Sequence, residues 1–215
     1  MEKDLKLGSG SLDRAGVLPL IAPSCTSQRK PLRWITALAV VAALFGTPSM
    51  QGQHAKPTEY EVKATYLYNF GKFVEWPAKD THAESDSFPI CVLGQDPFGS
   101  ALNSILADAT IDGKSVVAKR ILTPQDASNC RVLFISSSEE TRLKQILVVL
   151  RGTSALTVSD LPQFTQRGGM VQFFLEGNRV RFDVNLTTAE QAGLTLSSEL
   201  LKVANNVRRG PRLAD

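Results

Sequence analysis

FPICVLGQDPFGSAL (88–102) carries a strand, a turn and a helix start in fifteen residues. An apolar run unbroken by polar alternation marks a strand buried on both faces, as in a parallel sheet covered by helices. Asp96-Pro97 then reads as an N-cap followed by proline at the first helical position, and Phe98, Leu102, Ile105 and Leu106 give the following helix one apolar face. Downstream, Asp112-Gly113 marks a turn into SVVAKRIL (115–122), where Val116, Val117 and Ile121 suggest a strand. NCRVLFIS (129–136) contains a second doubly buried strand, residues 139–150 are expected to be helical, and ALTVSD (155–160) is another short strand. Strands and helices alternating at this spacing predict an α/β fold: three layers, a mostly parallel sheet flanked by helices.

The order then changes. MVQFFLEGNRVRFDVN (170–185) is two alternating runs around Gly177-Asn178, a hairpin that adds an antiparallel edge. Thr187 and Glu190 have capping-box spacing, and Leu200, Leu201, Val203, Ala204 and Val207 predict a terminal helix, with residues 208–215 as a frayed tail. Upstream, Tyr60, Ala64, Leu67, Phe70 and Val74 recur at spacings of three and four, so residues 56–76 read as an amphipathic helix stopped by Pro77, with a polar loop over 78–87. One domain is expected over residues 56–207.

Residues 1–55 read as an N-terminal extension and a secretory signal peptide. Arg29, Lys30 and Arg33 precede the 13-residue apolar run WITALAVVAALFG (34–46), after which Thr47, Pro48 and Ser49 are small or helix-breaking. The run is short of the roughly 20 residues that a membrane-spanning helix needs. Export to the periplasm is therefore the expectation, with an uncleaved N-terminal anchor as the alternative. Residues 1–56 hold 7 Lys/Arg against 3 Asp/Glu, leaving 17 against 18 downstream. A body without a basic excess lacks the surface that dominates nucleic-acid affinity, so that class is set aside.

Removing the leader takes Cys25 and leaves Cys91 and Cys130, each at the start of an apolar strand. Neighbouring parallel strands would bring them within bonding reach, and an oxidising compartment would join them; two buried free thiols are the other reading. Catalytic chemistry has little to draw on. GQDPFGS (94–100) has the outline of a phosphate loop but lacks the Lys-Ser/Thr that contacts phosphate and magnesium. The two histidines, His54 and His82, lie outside the patterned core, and neither a zinc set, a nucleophile elbow nor any cofactor motif can be assembled. The expectation is a protein that is not an enzyme.

Two groups of residues point to binding instead. Tyr60, Tyr66, Tyr68, Phe70, Phe73 and Trp76 crowd one helix, more than one face can bury, so Tyr66, Phe70, Phe73 and Trp76 are candidates for a partner surface. Arg179 and Arg181 alternate with Val180 and Phe182, placing both guanidiniums on one strand face, where they could hold a carboxylate or phosphate or simply keep an edge soluble.

YLYNFGKFVEWP (66–77), ICVLGQDPFGSAL (90–102), CRVLFIS (130–136), GGMVQFF (168–174) and RFDVNLTTAEQAGLTLSSELLKVA (181–204) together resemble the YfiR family of periplasmic proteins, over about residues 58–207. The resemblance implies an exported α/β domain that represses an inner-membrane diguanylate cyclase by binding its periplasmic part. It also implies an outer-membrane lipoprotein that sequesters the repressor, control of cyclic di-GMP and biofilm formation, and a homodimer. Cys91 and Cys130 match the family's disulfide placement, while a second cysteine pair of its characterised member has no counterpart. RFDVN matches the closing strand where small-molecule binding has been proposed, which adds Asn185 to Arg179 and Arg181 as ligand candidates, a cap on the following helix being the other reading of Asn185. The alternative is a small-molecule sensor coupled to a histidine kinase.

Overall fold

The computed structural model describes residues 56–77 and 86–210, so the leader and most of the loop after Pro77 lie outside it. Helix α1 (Glu59–Phe73) opens with a complete capping box, Thr58 accepting from the Glu61 amide while Glu61 accepts from the Thr58 amide. Donation to the carboxylate, first from the Thr58 amide and then from its hydroxyl, holds the Glu61 carboxyl below its usual range. The helix ends earlier than Pro77. Val74 is extended (φ −118°, ψ 135°) and starts strand β1 (Val74–Glu75), since a β-branched residue beside a waiting partner strand gains more from pairing than from another helical turn.

Strand β2 (Ser87–Leu93) leads through the GQDPFGS turn to α2 (Ser100–Leu106). Asp96 is not the N-cap: that position is Gly99, with no side-chain bond. The Asp96 carboxylate instead accepts from the Phe98 amide at 2.8 Å, within the turn, and from Arg120 Nε at 2.8 Å, which ties the turn to the strand that carries Arg120. β3 (Thr110–Ile111) and β4 (Lys114–Ile121) form a hairpin over Asp112 and Gly113, both at positive φ (51° and 77°). β5 (Val132–Ile135) follows, then a 3-10 turn (Ser137–Arg142) and α3 (Leu143–Val149), which divides the single helix expected over 139–150.

β6 (Leu156–Ser159), β7 (Val171–Glu176) and β8 (Arg179–Asn185) come next, the last two joined by Gly177-Asn178, both at positive φ as expected. The last elements among the described residues are α4 (Leu186–Gln191), β9 (Thr195–Leu196), α5 (Ser198–Val203) and β10 (Asn206–Arg208). Three expectations are corrected here. Asn185, not Thr187, caps α4, accepting from the Thr188 amide at 3.1 Å. The terminal helix stops at Val203, and Val207 belongs to a strand. Residues 208–210 are ordered into the fold, with the Gly210 amide donating to Thr187 Oγ1 at 2.7 Å.

The sheet has eight strands in the order β10-β8-β7-β6-β5-β2-β4-β3. All neighbours are parallel except the β7–β8 and β3–β4 hairpins. β8 is thus interior rather than an edge, because β10 pairs with it through Val207 opposite Val184. A separate antiparallel pair joins β1 to β9, Val74 opposite Leu196. Both faces are covered, which gives three layers. Ile90, Val92, Val132 and Phe134 point into the core beneath α1 and α2. Cys91, Leu93, Leu133 and Ile135 point into a second core beneath α3, as period-two alternation requires.

Within that second core Cys91 and Cys130 form a disulfide with Cα atoms 5.9 Å apart, a span natural to the bond. On the other face α1 lies so close to the sheet that Gly71 has no room for a side chain. An added Cβ would stand 2.6 Å from Ile111 Cδ1 and 2.9 Å from Phe88 Cε1. Alanine gains about 1 kcal/mol of helix propensity over glycine, but overpacking a tight core costs roughly 1–3 kcal/mol. Gly71→Ala is therefore expected to lower the urea midpoint; a higher midpoint would mean that the ring of Phe88 yields freely.

Candidate functional site

The four candidate aromatics, three on α1 and Trp76 beyond its end, divide into three groups. Tyr66 and Phe70, one turn apart, stack with centroids 6.0 Å apart and meet Phe173 (5.9 and 5.7 Å) and Phe182 (5.5 and 5.1 Å) of the hairpin. Phe70 has no exposed surface, so it is a floor, not a contact. Phe73, one turn further, is 39% exposed and faces Val203 and Glu199 of α5 across a groove of about 170 Å³ whose floor is Phe70, Phe182 and Leu200. Val203 is itself 62% exposed. Trp76 does not line this groove. Beyond the helix, its ring packs edge-on against Phe88 at 5.3 Å, with the Arg131 guanidinium 5.4 Å from its face.

Arg179, Arg181 and Asn185 lie on the face of β8 opposite Phe182, as alternation demands. Arg179 and Arg181 are exposed, and Arg181 Nε reaches Glu176 Oε2 across the hairpin at 3.6 Å. Asn185 is committed at both ends: its Oδ1 caps α4 and its Nδ2 donates to the Thr165 carbonyl at 2.8 Å. The two arginines and the asparagine share a strand face, with the Asn185 side chain already bonded.

A third arrangement was not read from the sequence. Lys63 is 2% exposed, and its ammonium lies 2.8 Å from Asp160 Oδ2 and 2.5 Å from Glu59 Oε1. Tyr60 donates its hydroxyl to the same Asp160 oxygen at 3.1 Å and places its ring under the ammonium, 4.5 Å from Nζ. Burial draws the Lys63 pKa down, but the bonds from Asp160 and Glu59 outweigh it and leave the group above its ordinary value. The Tyr60 phenol is raised too, first by burial and then by the Asp160 charge. Asp160 follows β6 directly, so the cluster ties α1 to the carboxyl end of the parallel sheet, beside an open cleft of about 500 Å³ that also touches Ser137 and Gln172. The signal was present, since Lys63 falls within the stripe of Tyr60, Leu67 and Phe70. A lysine there reads as solvated by default.

No described helix is long and apolar enough to cross a membrane. Among solved structures, a conserved domain protein from Vibrio cholerae O1 biovar El Tor is similar at 13% identity and a TM-score of 0.46, over 70% of this chain and 60% of that one. The ABC domain in complex with L-Trp from Streptococcus pneumoniae is similar at 9% identity and a TM-score of 0.46, over 67% of this chain and 60% of that one. The chain thus spans about 60% of the length of either. The YfiR/HmsC-like family model matches residues 60–205, every element from α1 to α5, and the chain accordingly belongs to this family of periplasmic regulatory proteins.

Proposed function

We propose that the protein represses an inner-membrane diguanylate cyclase by binding its periplasmic part through the groove between α1 and α5, so lowering cyclic di-GMP and restraining biofilm formation. The observation that carries this reading is Phe73, held outward beside Val203 above a floor of fully buried aromatics. A rigid floor under an exposed aromatic is the arrangement of an interface anchor, because little conformational entropy is lost when a partner covers it. Moving a cyclase from 1:99 to 99:1 in favour of its inactive state takes ~5.5 kcal/mol of differential binding, within reach of a standard interface. An outer-membrane lipoprotein competing for the same surface would relieve the repression.

The test is a deletion strain complemented with intact protein or with Phe73→Glu, with cellular cyclic di-GMP as the readout. Deletion is expected to raise cyclic di-GMP, the intact gene to restore it, and Phe73→Glu to fail while the purified variant keeps its melting temperature within a few degrees. If a folded Phe73→Glu protein represses normally, the groove is not the contact. If deletion leaves cyclic di-GMP unchanged, the reading passes to a small-molecule sensor coupled to a histidine kinase through the Arg179 and Arg181 face.

A further inference from the structure

Between α3 and α4, away from the groove and from the Lys63 cluster, lies a pocket of about 360 Å³. We infer that it is a binding site for a small organic anion, a molecule with a carboxylate or phosphate at one end and a compact apolar body at the other. Two guanidiniums line it, those of Arg151 and Arg167, and no acidic side chain does. The Arg151 side chain has no hydrogen bond or ion pair among the described residues. Arg167 is held at its rim by a long contact to Glu140 Oε1 (3.7 Å) and a 3.4 Å bond to the Glu140 carbonyl, which orients the fork without saturating it. A planar guanidinium presents paired donors that match a carboxylate or phosphate.

The remaining wall sets the rest of the ligand. Leu147, Leu150 and Met170 form an apolar side, while Thr188 and Gln191 of α4 offer polar groups opposite. Such a division suits an amphiphilic small molecule, and the volume lies in the usual range for one. Gly168 turns the chain at the pocket with φ 105°, and Leu147 is the one atom group within 4 Å of where its Cβ would be. This glycine therefore serves the backbone turn that presents Arg167, not a tight packing contact.

The experiment is a calorimetric and NMR titration of the full-length protein with phenyl phosphate, with benzyl alcohol as the neutral analogue and phosphatidylglycerol vesicles as the lipid arm. Saturable one-to-one binding of phenyl phosphate is expected, with amide shifts at Gly152, Gly168 and Thr188 and none with benzyl alcohol. Arg151→Gln is expected to weaken it at least tenfold without changing the melting temperature. The inference is overturned by no saturation at millimolar phenyl phosphate, by binding that Arg151→Gln leaves intact, by shifts confined elsewhere, or by binding to vesicles alone.

Discussion

Asp160→Ala will destabilise the domain by roughly 3 kcal/mol or more, the range for removing one partner of a buried ion pair. The cost comes from Lys63, which is 2% exposed and keeps Glu59 as its one charged partner. Replacing both partners by apolar residues, Lys63→Met with Asp160→Leu, should recover most of the loss, because no charge is then left buried. Urea denaturation at neutral pH separates the two outcomes: a double variant as unstable as Asp160→Ala would show that the cluster is held for reasons other than charge. The pH dependence has a definite sign. A lysine whose folded pKa is raised contributes fully below its unfolded value, about 10.4, and loses the contribution as pH rises through the folded value. Tyr60, also raised, acts in the same direction. The intact protein should therefore lose stability faster than the double variant above about pH 10.

The Cys91→Ala/Cys130→Ala pair is expected to cost about 4 kcal/mol, the loop-closure value for a separation of 39 residues. For a domain of this size that is roughly 8–16 °C in melting temperature. Alanine is the informative replacement because both sulfurs are buried, and serine would add an unsatisfied hydroxyl to the core beneath α3. The β2–β5 pairing should survive at low temperature, since four backbone register positions hold it without the bond. A loss below about 1 kcal/mol would mean that the reduced chain already keeps these two strands together when unfolded.

What was legible in the sequence depended on how local each signal is. FPICVLG and CRVLFIS announced buried parallel strands because burial on both faces removes polar alternation, and Gly177-Asn178 announced its hairpin because few other residues accept positive φ at both positions. β1, β9 and β10 were not legible: two or three residues carry no period, and each exists only because a partner strand stands beside it. The same distinction runs through the candidate site. Six aromatics over residues 60–76 signalled a surplus over one buried face, but only packing against Phe173 and Phe182 separates Phe70, the floor, from Phe73, the rim. Lys63 was hidden by its own chemistry, since its buried state needs a carboxylate 97 residues away in the chain.

Helix α1 is made early in synthesis, yet the surfaces that receive it come late: β1 has no partner until Thr195–Leu196, and the groove has no floor until Phe182 and Leu200. Contacts this distant in sequence delay closure of the core until most of the domain is available. The family is periplasmic, and for a protein of that compartment such a delay would be useful. An exported chain of this kind would stay open and threadable in transit and complete its contacts in the oxidising compartment, where Cys91 and Cys130 would also join.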